Sequence, residues 1–156
     1  MGAFASHIIF GREGKKKWQE YGILSVCRKH QGIFEMGCQG PDLFLYNPAM
    51  LFSTYDKNLG ERMHVEKCGR FMACLADAIR QQEEKEAVEV GLSYLMGLLA
   101  HYTLDTSLHP YVYARTGYDP ADPYAPKATM GIHFRLEAAI DANLIAQKLG
   151  IMPDAF

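Results

Sequence analysis

Apolar residues recur at intervals of three and four along most of this chain and almost nowhere at intervals of two. Trp18, Tyr21, Leu24 and Cys27 fall three apart within Gly14–His30, which puts them on one face of a helix. The Lys15-Lys16-Lys17 run then reads as that helix's solvated first turn, where cations oppose the helix dipole. Met63, Cys68, Phe71, Leu75 and Ile79 draw a second inward face, on a helix that Asn58 caps and that runs to about Gln82. A charged hinge over residues 81–89 leads into a long apolar helix, Ala87 to Leu108, stopped near Pro110, which lacks an amide donor. Tyr94, Leu95, Leu98 and Leu99 mark that helix as buried. Thr129–Leu149 repeats the helical period, and Gly150 with Pro153 ends it. Gly37–Pro48, rich in Gly, Pro and Asn, reads as a loop. Tyr118–Pro126, with three prolines, reads as a surface loop that rims a site. The sole period-two stretch is Ile8–Phe10. The pattern predicts an all-α, multi-helix bundle of about four main helices, a single domain over 1–156.

Composition narrows the function classes. A length of 156 residues suits one domain with a core that needs no staples. At 49% hydrophobic and 12% aromatic, the chain is not a disordered tail or linker. Sixteen Lys and Arg against 18 Asp and Glu give no basic field, so no stable nucleic-acid complex is expected. Cys27, Cys38, Cys68 and Cys74 form no CxxC pair, and Met1–His7 has no signal-peptide pattern. The longest apolar run, Tyr94–Leu99, is far short of the roughly 20 residues of a transmembrane segment. Reduced thiols in the cytoplasm fit this best.

The histidines carry the chemistry. His101, Asp105 and His109 stand at i, i+4 and i+8, stacked on one helix face. On a buried helix such a polar ladder must be satisfied by something. Imidazole and carboxylate are the ligand types zinc prefers. His133 and Glu137 repeat the i, i+4 spacing on the last helix, so ions held between facing helices would answer both ladders. Blandly read, a lone HxxxD is a salt-bridged pair, and His7 or His64 alone is a hydrogen-bonded core histidine. At this point both readings of the ladders stand. His30, after Arg28-Lys29 at a helix end, reads as surface, and the methionines as core filler.

The ordered segments Gly40-Pro41-Asp42-Leu43-Phe44-Leu45-Tyr46, Met63-His64, Gly97-Leu98-Leu99-Ala100-His101-Tyr102-Thr103-Leu104-Asp105, His109-Pro110-Tyr111-Val112 and His133…Glu137 resemble the zinc-dependent phospholipase C family. Single-strand-specific zinc nucleases are related to it. The resemblance runs from about Phe4 to Asp141. It implies an all-helical fold with three zinc ions in a cleft. By that likeness Asp42, His64, His101 and Asp105 hold one ion. Asp105 bridges to a second, shared with His7, and His109, His133 and Glu137 hold the third. Asp42 would also serve as general base or water-orienting carboxylate. Secreted members complete one zinc site with an N-terminal tryptophan; this chain opens Met1-Gly2 and has its one tryptophan at Trp18.

The resemblance implies a zinc-dependent phosphodiester hydrolase acting on a phospholipid or small phosphodiester through a zinc-activated water. Manganese or iron could replace zinc on these ligands. Two other readings stay open: a single-strand nuclease-like activity, with bases stacked on the Tyr118–Pro126 loop, and a catalytically degenerate metal-binding module. The chain ends soon after the last ligand pair, so a cleft wall would be either absent or supplied by a partner subunit, as in a homodimer.

Overall fold

The structure, a computed structural model, describes residues 4–17, 22–46, 59–118 and 127–151. Among these, seven α-helices and one 3-10 helix follow in order: α1 (Phe4–Lys17), α2 (Ile23–Lys29), α3 (Gln31–Gln39), η1 (Gly40–Tyr46), α4 (Leu59–Val65), α5 (Cys68–Arg80), α6 (Lys85–Thr116) and α7 (Lys127–Leu149). The fold is all-α, as the apolar period requires. The 32-residue α6 is its axis, against which α1, α2, α3, α5 and α7 all pack.

Several boundaries differ from the sequence pattern, each for a local reason. Ile8–Phe10 lies within α1, because three residues are too few to separate a period of two from one of 3.6. The helix expected over Gly14–His30 is two helices, and the lysine run closes α1 rather than opening a helix. Cations at that end favour the dipole. Lys15 is buried there, its Nζ 4.9 Å above the centre of the Phe34 ring, a cation–π contact. Leu24 and Cys27 are buried as expected, whereas Trp18 and Tyr21 lie outside the described residues.

The single helix expected from Asn58 to Gln82 is likewise two. It breaks at Glu66-Lys67, where Lys67 adopts a left-handed φ of 54°. The Cys68 thiol caps the broken end by donating to the carbonyls of Met63 (3.1 Å) and His64 (3.3 Å). Ile79 is buried, but Phe71 is exposed; Asn58 lies outside the described residues. In the stretch read as a loop, residues 37–39 finish α3 and Gly40–Tyr46 form η1. Gly40, at φ 50°, ends the α-helix, and Pro41 follows without an amide to donate.

Pro110 does not stop α6, which continues to Thr116 and ends on Gly117 at φ 66°. The missing Pro110 amide leaves one carbonyl unserved, at a cost of about 3 kcal/mol. Beyond it the helix buries Val112 and Thr116, which offsets that loss. Leu98 is fully buried while Leu99 is exposed, so only one side of this stretch faces the core. α7 ends as its period predicts, with the Gly150 amide donating to the Ala146 carbonyl. Residues 119–126 of the proline-rich loop lie outside the described residues. No described helix is long and apolar enough to cross a membrane, and all four cysteines are free thiols.

The core gathers Cys27, Phe34, Cys38 and Ala100, with Phe10, Ile23 and Met96 packed against it. At its centre α3 crosses α6 backbone to backbone. A Cβ on Gly97 would stand 2.1 Å from the Phe34 carbonyl oxygen, and one on Gly37 2.3 Å from that of Tyr94. Gly97→Ala should therefore destabilise the protein by about 1–3 kcal/mol in urea unfolding, because only backbone movement can admit the methyl group. Gly32→Ala, on α3 in open space, should instead stabilise it by about 0.4–1 kcal/mol. Equal unfolding midpoints for the two variants would argue against the close crossing.

Candidate metal centre

Side chains from five elements gather at one cleft of about 600 Å³, with His101 fully buried behind its lining. His7 comes from α1, Asp42 from η1 and His64 from α4; His101, Asp105 and His109 come from α6, His133 and Glu137 from α7. All eight sequence-derived candidates are thus brought together. They fall into three groups, His7/His101/Asp105, Asp42/His64/His101 and His109/His133/Glu137, whose ligand atoms lie within 4.8 Å of one another in each group. The last is the trio the resemblance implied. In the first two, His101 stands at the shared corner beside Asp105.

Hydrogen bonds fix which nitrogen two of the imidazoles present. The Nδ1–H of His101 donates to the Cys38 carbonyl (3.0 Å), and that of His64 to the Gly60 carbonyl (2.7 Å). Backbone acceptors of this kind orient metal-ligating histidines and leave Nε2 free. His64 Nε2 then stands 3.1 Å from Asp42 Oδ1 and 3.6 Å from Asp105 Oδ2, while His101 Nε2 is 3.1 Å from Asp105 Oδ2. His7 stacks on His101 with ring centres 4.1 Å apart, its Nε2 3.4 Å from Asp105 Oδ1 and 3.9 Å from Asp42 Oδ2. Across the cleft, Glu137 Oε1 meets His133 Nε2 at 3.0 Å and His109 Nε2 at 3.3 Å. His109 Nδ1 reaches back to Asp105 Oδ1 at 3.8 Å, joining the two halves.

A cation fits this arrangement for an electrostatic reason. His64 Nε2 and His101 Nε2 face each other at 3.4 Å, yet both rings have already committed their Nδ1 protons. Two lone pairs therefore converge, with two carboxylate oxygens beside them. A proton on His64 relieves one of these contacts; a cation among the four atoms relieves them all. Two nitrogens bound to one tetrahedral zinc at about 2.0–2.1 Å stand about 3.3–3.4 Å apart, the separation the imidazoles already hold. His101 is fully buried, and Asp42, His7, His133 and Glu137 nearly so. Asp105 Oδ2, His7 Nδ1 and His133 Nδ1 are buried without a well-formed hydrogen bond. Buried polar atoms left this way are costly unless something else compensates them.

The charges respond in ways that follow from burial and partners. Burial by itself would raise the Asp105 carboxyl, but the neighbouring imidazoles, His101 foremost, outweigh it and hold it at about 2. Glu137 is held at about 2 in the same manner, with His109 and His133 overcoming burial. Burial, reinforced by His101, pushes His7 down to about 4. For His64, burial lowers the pKa, but the Asp42 hydrogen bond and the Gly60 carbonyl prevail and raise it. His109 is raised likewise, by Glu137 against burial.

Other groups were not legible beforehand. Tyr102 donates to the Met63 carbonyl at 2.5 Å, pinning the end of α4 beside His64. Asp141, one turn beyond Glu137, accepts the backbone amides of Ala5 and Ser6. Its signal was present, since His133, Glu137 and Asp141 continue the i, i+4, i+8 ladder. His30, read as surface, is mostly buried between α2 and α3, with Nε2 3.3 Å from Glu89.

The family model for zinc dependent phospholipase C matches residues 3–155 of the chain. No curated relative and no solved structure matches it.

Stripped of metal by a chelator, the protein should lose stability as the pH falls from about 4 to about 2. The unfolded state takes up protons on Asp and Glu near pH 4, whereas folded Asp105 and Glu137 resist until about 2. Stability contributed by these groups is complete above pH 4 and lost through that window. Urea midpoints measured across it check the sign. Flat midpoints would contradict it, and Glu137→Gln should reduce the slope.

Proposed function

Because the chain belongs to the zinc-dependent phospholipase C family, we propose that it is a zinc-dependent phosphodiester hydrolase acting on a phospholipid or small phosphodiester. The observation that carries this reading is the two-part character of the cleft. Its floor is the histidine–carboxylate cluster, and its walls are Leu45, Val65, Tyr113, Tyr118, Met130 and Phe134. Among the described residues no lysine or arginine lines it, and the one additional charge is Glu61. A polynucleotide presents a phosphate at every residue and gains most of its affinity from cations along its path. A substrate with one diester and an apolar arm suits these walls better, which disfavours the nuclease reading despite the tyrosines available for stacking.

Two or three zinc ions on the three groups would supply Lewis-acid polarisation of the phosphoryl oxygens and a water acidic enough to attack phosphorus near neutral pH. Manganese or iron would suit the same imidazole and carboxylate donors. The chain's own contribution is positional and basic. Asp42 is buried on η1 with Oδ1 turned to His64, which leaves Oδ2, 3.9 Å from His7 Nε2, to orient a water and accept its proton. The stacked rings of His7 and His101 close the floor behind it. The four free thiols fit a reducing cytoplasm.

Purified protein should contain more than one zinc per chain by mass spectrometric elemental analysis, and His101→Ala should lose most of it. Hydrolysis of bis(p-nitrophenyl) phosphate should require the metal, and Asp42→Asn should lower kcat by about 10²–10⁴-fold with the zinc on His109, His133 and Glu137 retained. Zinc without turnover on any diester would favour a metal-binding module instead. Absence of zinc after repletion would sink the hydrolase.

A further inference from the structure

We propose that Asp141 is the positioning residue for His7, an α7 carboxylate that holds the start of α1 at the depth where His7 reaches the metal cluster. This rests on the reading of His7 as a zinc ligand. His64 and His101 each have Nδ1 anchored on a backbone carbonyl, whereas His7 Nδ1 is buried with no hydrogen-bond partner. No hydrogen bond to Nδ1 therefore sets the His7 ring as it does for His64 and His101, and only its stacking on His101 and the contact from Nε2 to Asp105 hold it. The backbone immediately before it is fixed instead. Asp141 Oδ2 accepts the Ala5 amide at 2.9 Å and Oδ1 accepts the Ser6 amide at 2.8 Å, and the Ser6 hydroxyl also reaches the carboxylate.

These amides belong to the first turn of α1, where no carbonyl of the helix itself can serve them. An anionic acceptor there also complements the helix dipole. A second tie comes from α3, where the Gln39 side-chain amide donates to the Phe4 carbonyl at 2.9 Å. With two adjacent amides clamped by one carboxylate, α1 can neither slide nor rotate without breaking a charge-assisted bond. His7, the next residue, keeps Nε2 3.4 Å from Asp105. Asp141 lies one turn beyond Glu137 on the same face of α7. The helix that carries the His133 and Glu137 pair thus also sets the geometry of the His7 corner, more than 130 residues away in sequence.

The test compares zinc stoichiometry and affinity, by elemental analysis and competition with a chromogenic chelator, in wild type, His7→Ala, Asp141→Asn and Asp141→Ala. Far-UV circular dichroism and thermal midpoints report on the fold. Asp141→Asn keeps the side-chain volume and one acceptor, so it decides the question even if Asp141→Ala unfolds. Its zinc affinity at the His7-dependent equivalent should fall about 10–100-fold, with the other equivalents unchanged. The double variant His7→Ala/Asp141→Asn should lose no more zinc than His7→Ala alone. The d–d spectrum of the cobalt-substituted protein should show the same selective change. An unchanged His7-dependent equivalent with only a lower thermal midpoint would reduce Asp141 to a helix cap and overturn the proposal, leaving the metal centre standing. If His7→Ala removes no zinc, or wild type binds none, the reading of His7 as a ligand fails first and the proposal with it.

Discussion

The close crossing of α3 over α6 is the constraint on which the rest of the molecule depends. Gly37 and Gly97 leave no room for a side chain between the two backbones. Their approach delivers the Cys38 carbonyl to His101 and, two residues later, places Gly40 against the His101 ring, where a Cβ would stand 2.9 Å from Cγ. Because Gly40 then turns the chain with a positive φ, Pro41 and Asp42 run along the cluster rather than past it. The contact between two small residues thus fixes both the tautomer of a buried histidine and the position of the carboxylate facing its neighbour.

A second constraint follows from that burial. Dense packing brings imidazole lone pairs and carboxylate oxygens together where water is scarce, and such an assembly is stable only if its charges compensate one another. The protein meets this partly by itself, holding Asp105 and Glu137 ionised among imidazoles and protonating some of those imidazoles more readily than water would. The compensation is incomplete, since Asp105 Oδ2 and the Nδ1 atoms of His7 and His133 keep no proper partner. Packing energy from the core holds this polar centre in place, in an arrangement whose ligand atoms could hold a cation.

The cleft above the cluster has an opposite character, with aromatic and aliphatic walls that include the exposed side chains of Val65, Met130 and Phe134. Its shape comes from helices that end or break beside it. α4 stops at Val65, where the Cys68 thiol and Tyr102 hydroxyl occupy carbonyls that a continuous helix would have used internally. α6 instead runs through Pro110, so His109 and Tyr113 stay on one face and stack. Polar chemistry at the floor and apolar surface at the mouth arise from the same few helices.

The sequence by itself determined the helical class, the ladders His101/Asp105/His109 and His133/Glu137, and the stop at Gly150, because each is a local consequence of a 3.6-residue period or of glycine's freedom at positive φ. Likeness in motif order, rather than periodicity, pointed to His7, Asp42 and His64. Only the tertiary structure decided that these join the ladders, since the contact from His101 to His64 spans 37 positions and that from His101 to Cys38 spans 63. It also decided the break at Lys67, the continuation through Pro110, the burial of Lys15 and His30, and the contact of Asp141 with the first turn of α1. For Lys15, His30 and Asp141 a group that looks unsatisfied along the chain finds its partner on a distant helix, and a one-dimensional pattern cannot report which groups packing will bring together.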